Sequence, residues 1–398
     1  MSMLALTRAA VLDCTGAPPI ASATVLVENG KIAAITPGTE YAVPNAARVI
    51  DLTGMTILPG MINTHDHLTA PDPEDPLIDH AAEYKVRMTS SVQYRQTFAL
   101  RYGPQELRDG VTTIRILGEK DGMDFAYKEA FDRDLVWGPR ILPSGPAIAT
   151  SAQYHGTAIS TMADGEDGVR AAVRRNAFNG AKVIKLLVSG GRKAGVPRNM
   201  TISHFTPQEI RAAIDEAHTY NIKVTAHLNG GLGVKYVVDA GIDGIEHGMD
   251  MTDDELDAAA RANVVIGMTL LWHCTDIYRR ALGGDQTAVL DQYVRRIYQS
   301  GATIVAGNDH CHQNHGLARQ VALLAEFGVP PMIALQAVTR NAALACGIAA
   351  ERGTLAEGLD ADIIAVPGNP VDDVGLMADV RMVMKAGRIY HGIGADQP

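Results

Sequence analysis

The stretch Leu58-Pro59-Gly60-Met61-Ile62-Asn63-Thr64-His65-Asp66-His67 is where the chain changes character. An apolar run passes a proline-glycine pair and ends in two imidazoles two positions apart. In extended backbone, residues i and i+2 share a face. His65 and His67 can therefore present two ring nitrogens to one metal ion. A lone His-x-His is more often a pair of polar loop residues, so its meaning depends on whether the rest of the chain supplies further ligands.

On the N-terminal side of this stretch the texture is short strands and turns. Val25 to Glu28 and Lys31 to Ile35 flank Asn29-Gly30, a two-residue hairpin signal because both central positions favour positive φ. Val49 to Leu52 is a further strand. The same texture returns near residue 353, with Asp362 to Val366 as a strand and a hairpin around Ala386-Gly387. Two β-rich ends around a different middle predict a small β-sandwich domain from residues 1–57 and 353–398, with 58–352 as the other domain.

The middle alternates strands with helices. Ala181 to Val188 is an apolar strand followed by a glycine pair. Thr206, Pro207 and Glu209 make a capping box for a helix whose apolar stripe is Ile210, Ala213, Ile214 and Ala217. Ile222 to Ala226 runs into His227, Gly244-Ile245-Glu246 into His247, Asn263 to Thr269 is a further strand, and Ala302 to Ala306 runs into Gly307-Asn308-Asp309. Apolar strands alternating with helices predict an α/β protein with a parallel sheet, closed as a (β/α)8 TIM barrel. Chemistry in such a barrel gathers at the C-terminal strand ends. His65, His67, Lys185, His227, His247 and Asp309 all fall at or near such ends. A single buried histidine is commonly a satisfied core residue; this many ligand-type residues in register are not.

Composition narrows the function. The chain has 398 residues, 46% of them hydrophobic and 20% charged, enough for two domains. A net charge of −10 argues against a nucleic-acid partner. Cys14, Cys274, Cys311 and Cys346 are scattered without Cys-x-x-Cys spacing and read as reduced thiols. No basic leader with a long apolar core and no membrane-length apolar run is present, so the expected location is cytoplasmic.

Several segments together resemble the amidohydrolase superfamily, near its imidazolonepropionase-like and Xaa-Pro dipeptidase-like branches. They are Pro59 to His67, Gly110 to Arg115, Gly138 to Gly145, Gly180 to Lys185, Ala226-His227, Ile245 to Gly248, Gly307 to Asp309, and the return from Gly353 to Asp362. The resemblance implies a binuclear site. His65, His67 and Asp309 would hold one divalent ion and His227 and His247 the other. Lys185, carboxylated by CO2, would bridge them together with a hydroxide. Nitrogen and oxygen donors without thiolates suit Zn2+. The resemblance also makes Asp309 the general base and then general acid, and His155 a contact to the substrate carbonyl or carboxylate. A loop histidine without a role is the plainer reading of His155.

The remaining substrate-contact candidates are Tyr154, Arg192 and Asn229. Lys193 and Arg198 share the loop of Arg192, where each cation alone is more often a solvated charge. The long segment up to Arg108, with Tyr84, Tyr94 and Tyr102, is a candidate lid. Leu228 and Asn229 stand where the dipeptidase-like relatives carry Ala and then Tyr or His, Ile116 where relatives often have Asp, and His310 and His312 are unusual after Asp309. The expected activity is hydrolysis of an amide-type C–N bond in a dipeptide, N-acyl amino acid or related small amide. An imidazolonepropionase-like cyclic-amide hydrolase, a deaminase and a lactone or carbamate hydrolase stay open; a non-catalytic scaffold is disfavoured because every ligand position is kept. The family resemblance also implies a homo-oligomer.

Overall fold

The computed structural model describes residues 3–38, 43–75, 89–152, 156–190, 199–275 and 284–395. Its first five strands are β1 (Met3–Val11), β2 (Ile20–Glu28), β3 (Lys31–Pro37), β4 (Ala47–Asp51) and β5 (Met55–Pro59). The last three are β16 (Ile363–Pro367), β17 (Met382–Lys385) and β18 (Arg388–Gly392). These eight form one hydrogen-bonded sheet, ordered β18-β17-β16-β5-β1-β2-β3 with β4 beside β1. Both hairpin turns are as the sequence indicates: Asn29 and Gly30 have φ of 53° and 79°, Ala386 and Gly387 of 49° and 76°. The two ends of the chain share a core of Leu6, Val25, Val27, Ile57, Ile363 and Met384.

The opening stretch divides at Gly60. Leu58 and Pro59 still pair with Ile364 and Ile363 in this terminal sheet, whereas β6 (Met61–Asp66) starts a parallel one. There β6 lies beside β7 (Val111–Ile116), and β7 beside β8 (Arg140–Leu142). A second parallel sheet holds β9 (Ala147–Ala149), β10 (Ser160–Met162), β11 (Val183–Leu187), β12 (Lys223–Leu228), β13 (Gly244–His247), β14 (Val265–Met268) and β15 (Ile304–Ala306), ordered β10-β9-β11-β12-β13-β14-β15. Pro143-Ser144-Gly145-Pro146 separates β8 from β9, and two prolines without N–H groups explain why the ladder stops there. The fold is thus α/β with parallel sheets.

Helices follow the strands. Pro207–Thr219 starts with the expected capping box, Thr206 with Glu209, and buries Ile210, Ala213, Ile214 and Ala217. A second box, Thr252 with Glu255, starts Asp253–Arg261. The strands between them turn Val224, Ala226, Leu228 and Ile245 into the hydrophobic core. Two glycines permit the closest approaches. A Cβ on Gly267 of β14 would come within 2.2 Å of a Glu246 carboxylate oxygen, and one on Gly307 within 2.5 Å of the His65 nitrogen. The backbone after β15 therefore lies against the end of β6, where Asp309 N–H donates to the His65 carbonyl at 2.9 Å and Thr64 Oγ1 to the Ala306 carbonyl at 2.9 Å.

Candidate active site

His65 and His67 leave the end of β6 close to Asp309. His65 Nε2 and His67 Nε2 lie 3.6 and 3.5 Å from Asp309 Oδ1. Donor atoms of all three residues fall within 4.8 Å of one another, close enough to share one ion. His247, at the end of β13, sets its ring centroid 5.1 Å from that of His65, tilted, and 4.5 Å from that of His227 of β12, edge-on. Lys185 sits in the middle of β11, 1% exposed, and its Nζ has no hydrogen-bond partner among the described residues.

Three of the four rings are held from behind. His65 Nδ1 pairs with Glu246 Oε2 at 2.8 Å, His67 Nδ1 donates to the Gly118 carbonyl at 3.0 Å, and His247 Nδ1 meets Thr269 Oγ1 at 2.9 Å. A histidine that donates through Nδ1 carries its lone pair on Nε2, the arrangement that orients metal-binding imidazoles. Glu246 is itself fixed by Arg115, at 2.8 Å, and by Thr225 Oγ1, at 2.7 Å. Burial opposes its charge, but Arg115 and His65 outweigh that and hold the carboxyl well below the usual range. Neither Glu246 nor Arg115 stands out in the sequence as a site residue, although both are charges inside apolar strands, which is the signal that finds them.

The electrostatics suit a cation. Burial favours a neutral Asp309, yet His65, His310 and His247 hold its carboxyl well below the ordinary value. Burial drives the His247 imidazolium down to about 3 and lowers His65 as well. Burial, with a smaller push from Arg115, brings the Lys185 ammonium down to about 8 against the pull of Glu246 and Asp309. Three residues here carry left-handed backbone, His247, Asp309 and His310, with φ of 75°, 47° and 61°. Non-glycine residues in that region cost about 1–3 kcal/mol each and concentrate at functional sites.

Other expectations fall in different places. Tyr154, His155, Arg192, Lys193, Arg198 and Tyr84 lie outside the described residues. Asn229 follows β12, its amide nitrogen 3.4 Å from His227 Nε2 and 3.4 Å from the Gly190 carbonyl. Tyr102 is buried on the helix Val92–Arg108, donating to Asp75 at 2.9 Å and stacking on His312, which is packing rather than a lid contact. Lys182 is exposed, Cys311 is buried, and all four cysteines are free thiols. No helix among the described residues is long and apolar enough to cross a membrane.

The chain belongs to the Amidohydrolase family, whose model matches residues 56–390. It is a hydrolase of that metal-dependent family. Ochratoxinase of Aspergillus niger is 26% identical over 423 residues, spanning 94% of this chain and 84% of the relative. A crystal structure of a Xaa-Pro dipeptidase with methionine in its active site superposes with a TM-score of 0.85 at 25% identity, covering 98% of this chain and 100% of the other. A prolidase complexed with N-methylphosphonate-L-proline gives the same TM-score, identity and coverage, 0.85, 25%, 98% and 100%.

Proposed function

We propose that the protein is a binuclear metal-dependent amidohydrolase that cleaves an amide-type C–N bond in a small molecule such as a dipeptide or an N-acyl amino acid. The observation that carries this reading is the convergence of four imidazoles and one carboxylate around a buried amine with no hydrogen-bond partner among the described residues. His65, His67 and Asp309 would hold one divalent ion, Zn2+ by donor chemistry, and His227 and His247 a second. A buried ammonium beside cations is costly. Lys185 fits better as the CO2-derived carbamate, and a pKa lowered to about 8 makes the neutral amine that reacts with CO2 accessible. Divalent ions bound there acidify water and polarise a carbonyl.

The protein's own groups do the rest. Glu246 and Gly118 keep the Nε2 atoms of His65 and His67 turned to Asp309, so the cleft is organised before substrate enters. Asp309, held ionised, takes a proton from the attacking water and returns it to the leaving nitrogen. The strands from β6 to β15 would close as a (β/α)8 barrel within residues 58–352, supported by the two hydrogen bonds between β6 and the end of β15. Residues 1–57 and 353–398 would form the second domain. The named relatives, an ochratoxinase and a Xaa-Pro dipeptidase, point to a substrate with an amide next to a carboxylate.

The test is metal analysis with a substrate screen. Protein reconstituted with Zn2+ should carry two ions per chain and turn over members of a dipeptide and N-acyl amino acid library in preference to lactones and carbamates. Asp309→Asn should leave Lys185 and the four histidines in place while kcat falls about 10²- to 10⁴-fold. One ion per chain with an unmodified Lys185, or turnover confined to lactones, would overturn the reading.

A further inference from the structure

Behind the donors lies a second, fully buried cluster. Asp66 stands between His65 and His67, and its Oδ1 accepts from the backbone N–H groups of His67 at 2.7 Å and His310 at 3.2 Å. Its Oδ2 accepts from Asn63 Nδ2 at 2.6 Å and faces His312 Nδ1 at 3.6 Å. The same His312 nitrogen lies 3.1 Å from Glu106 Oε1, which also accepts from Asn308 Nδ2 at 2.9 Å. Asn63 Oδ1 accepts from the backbone N–H groups of His65, at 3.3 Å, and Asn308, at 3.1 Å. The His312 ring stacks on Tyr102 with centroids 4.5 Å apart. Asp66, Glu106 and His312 are each 1% exposed or less.

The network grips the backbone beside every residue of the first donor group. Asn63 and Asp66 together hold the N–H groups of His65, His67, Asn308 and His310, so the end of β6 and the loop after β15 share one set of acceptors. That loop needs holding, because Asp309 and His310 are consecutive residues in left-handed backbone. Such backbone is unfavourable for residues other than glycine and persists only where contacts impose it.

We propose that the buried triad Asp66–His312–Glu106 is the positioning device of this site, fixing the His65–His67 pair relative to Asp309 through the grip of Asp66 on the His67 and His310 amides. The inference rests on the metal-holding reading of the six donors. Asp66 Oδ2 and Glu106 Oε1 each accept from an asparagine amide, while His312 Nδ1 hydrogen-bonds Glu106 at 3.1 Å and faces Asp66 Oδ2 at 3.6 Å as an electrostatic contact. Outer partners of this kind typically change metal affinity 10- to 100-fold when removed.

Co2+ titration of the full chain, followed by its visible absorption bands and by metal analysis, tests this with two variants. Asp66→Asn keeps the acceptor for both backbone amides but sets an NH2 against the donors of Asn63 and His312. His312→Gln is the milder change and serves if Asp66→Asn does not fold. Expected for either variant is the wild-type number of ions, Co2+ affinity about 10- to 100-fold weaker, and shifted bands. The double variant should be no weaker than Asp66→Asn alone. Wild-type bands and affinity in a folded His312→Gln protein would overturn the positioning role. Loss of one ion equivalent from that variant would also overturn it, making the triad itself a cation site. A wild-type protein that binds no Co2+, or binds it equally after His65→Ala, would instead sink the metal reading on which the proposal rests.

Discussion

Glu246 shows how much of the site depends on residues that are not donors. It receives three hydrogen bonds, from His65, Arg115 and Thr225, and is buried throughout. Replacing it with Gln keeps the volume but turns an NH2 toward one of those donors and leaves Arg115 buried beside a neutral group. Breaking one side of a buried ion pair costs about 3–5 kcal/mol. Glu246→Gln should therefore lower stability by about that much in urea denaturation and weaken metal retention; a variant as stable as wild type would show that Arg115 finds its compensation elsewhere. Gly267→Ala addresses the same contact sterically. Its methyl would sit 2.2 Å from a Glu246 carboxylate oxygen, forcing the carboxylate off His65. Overpacking of this kind costs about 1–3 kcal/mol, and the expected signature is lower metal affinity with little change in far-ultraviolet circular dichroism. Affinity equal to wild type would mean that the carboxylate has room to retreat without releasing the imidazole.

At the scale of elements, what could be read in the sequence was what repeats locally. The strands β11 to β15 announce themselves as apolar runs, and Thr206-Pro207 with Glu209 marks a helix start, because each signal spans only a few residues. The strands β8, β9 and β10 have three residues each and offer no period to detect. The split of the opening stretch was legible only to within a few residues, at 57/58 in place of Gly60, since the turning point is fixed by the distant partners of β5 and β6. His310 and His312 are visibly odd, but their partners come from β6 and from the helix Val92–Arg108, 244 and 206 residues away in sequence. That helix-to-loop contact has a pH signature. Burial alone would strip the His312 proton, but Asp66 and Glu106, with Asp72 beside them, keep it up to about 9. A folded-state value above the ordinary 6.5 contributes stability that is fully present below pH 6.5 and lost as pH rises through about 9. The gap in unfolding free energy between wild type and His312→Gln should thus shrink as pH rises from 6.5 through about 9. A gap constant over that range would mean that His312 is not held protonated by its acidic neighbours.

For the whole molecule, the donors come from β6, β11, β12, β13 and the turn after β15, segments as far apart in sequence as residues 65 and 309. The hydrophobic clusters are continuous without them: the terminal sheet keeps its own core, and the helices bury theirs against the strands. Removing bound ions should therefore leave the secondary structure while taking away a cross-link among five segments. A ligand that binds only the folded state stabilises it by RT ln(1 + [L]/Kd), about 4 kcal/mol at a thousandfold excess over Kd. Chelated protein should keep its circular dichroism spectrum at 25 °C yet unfold at a lower temperature, and stoichiometric Zn2+ should restore the difference. The same experiment on His65→Ala should show a smaller gap between chelated and reloaded protein, because one donor is gone from both states. If chelation removes all metal and the melting temperature does not move, the folded state binds the ions no better than the unfolded chain does, and the donor set is not a metal site. The depressed pKa values of His65 and His247 argue against that outcome, since imidazoles desolvated by burial gain most when a divalent cation joins them.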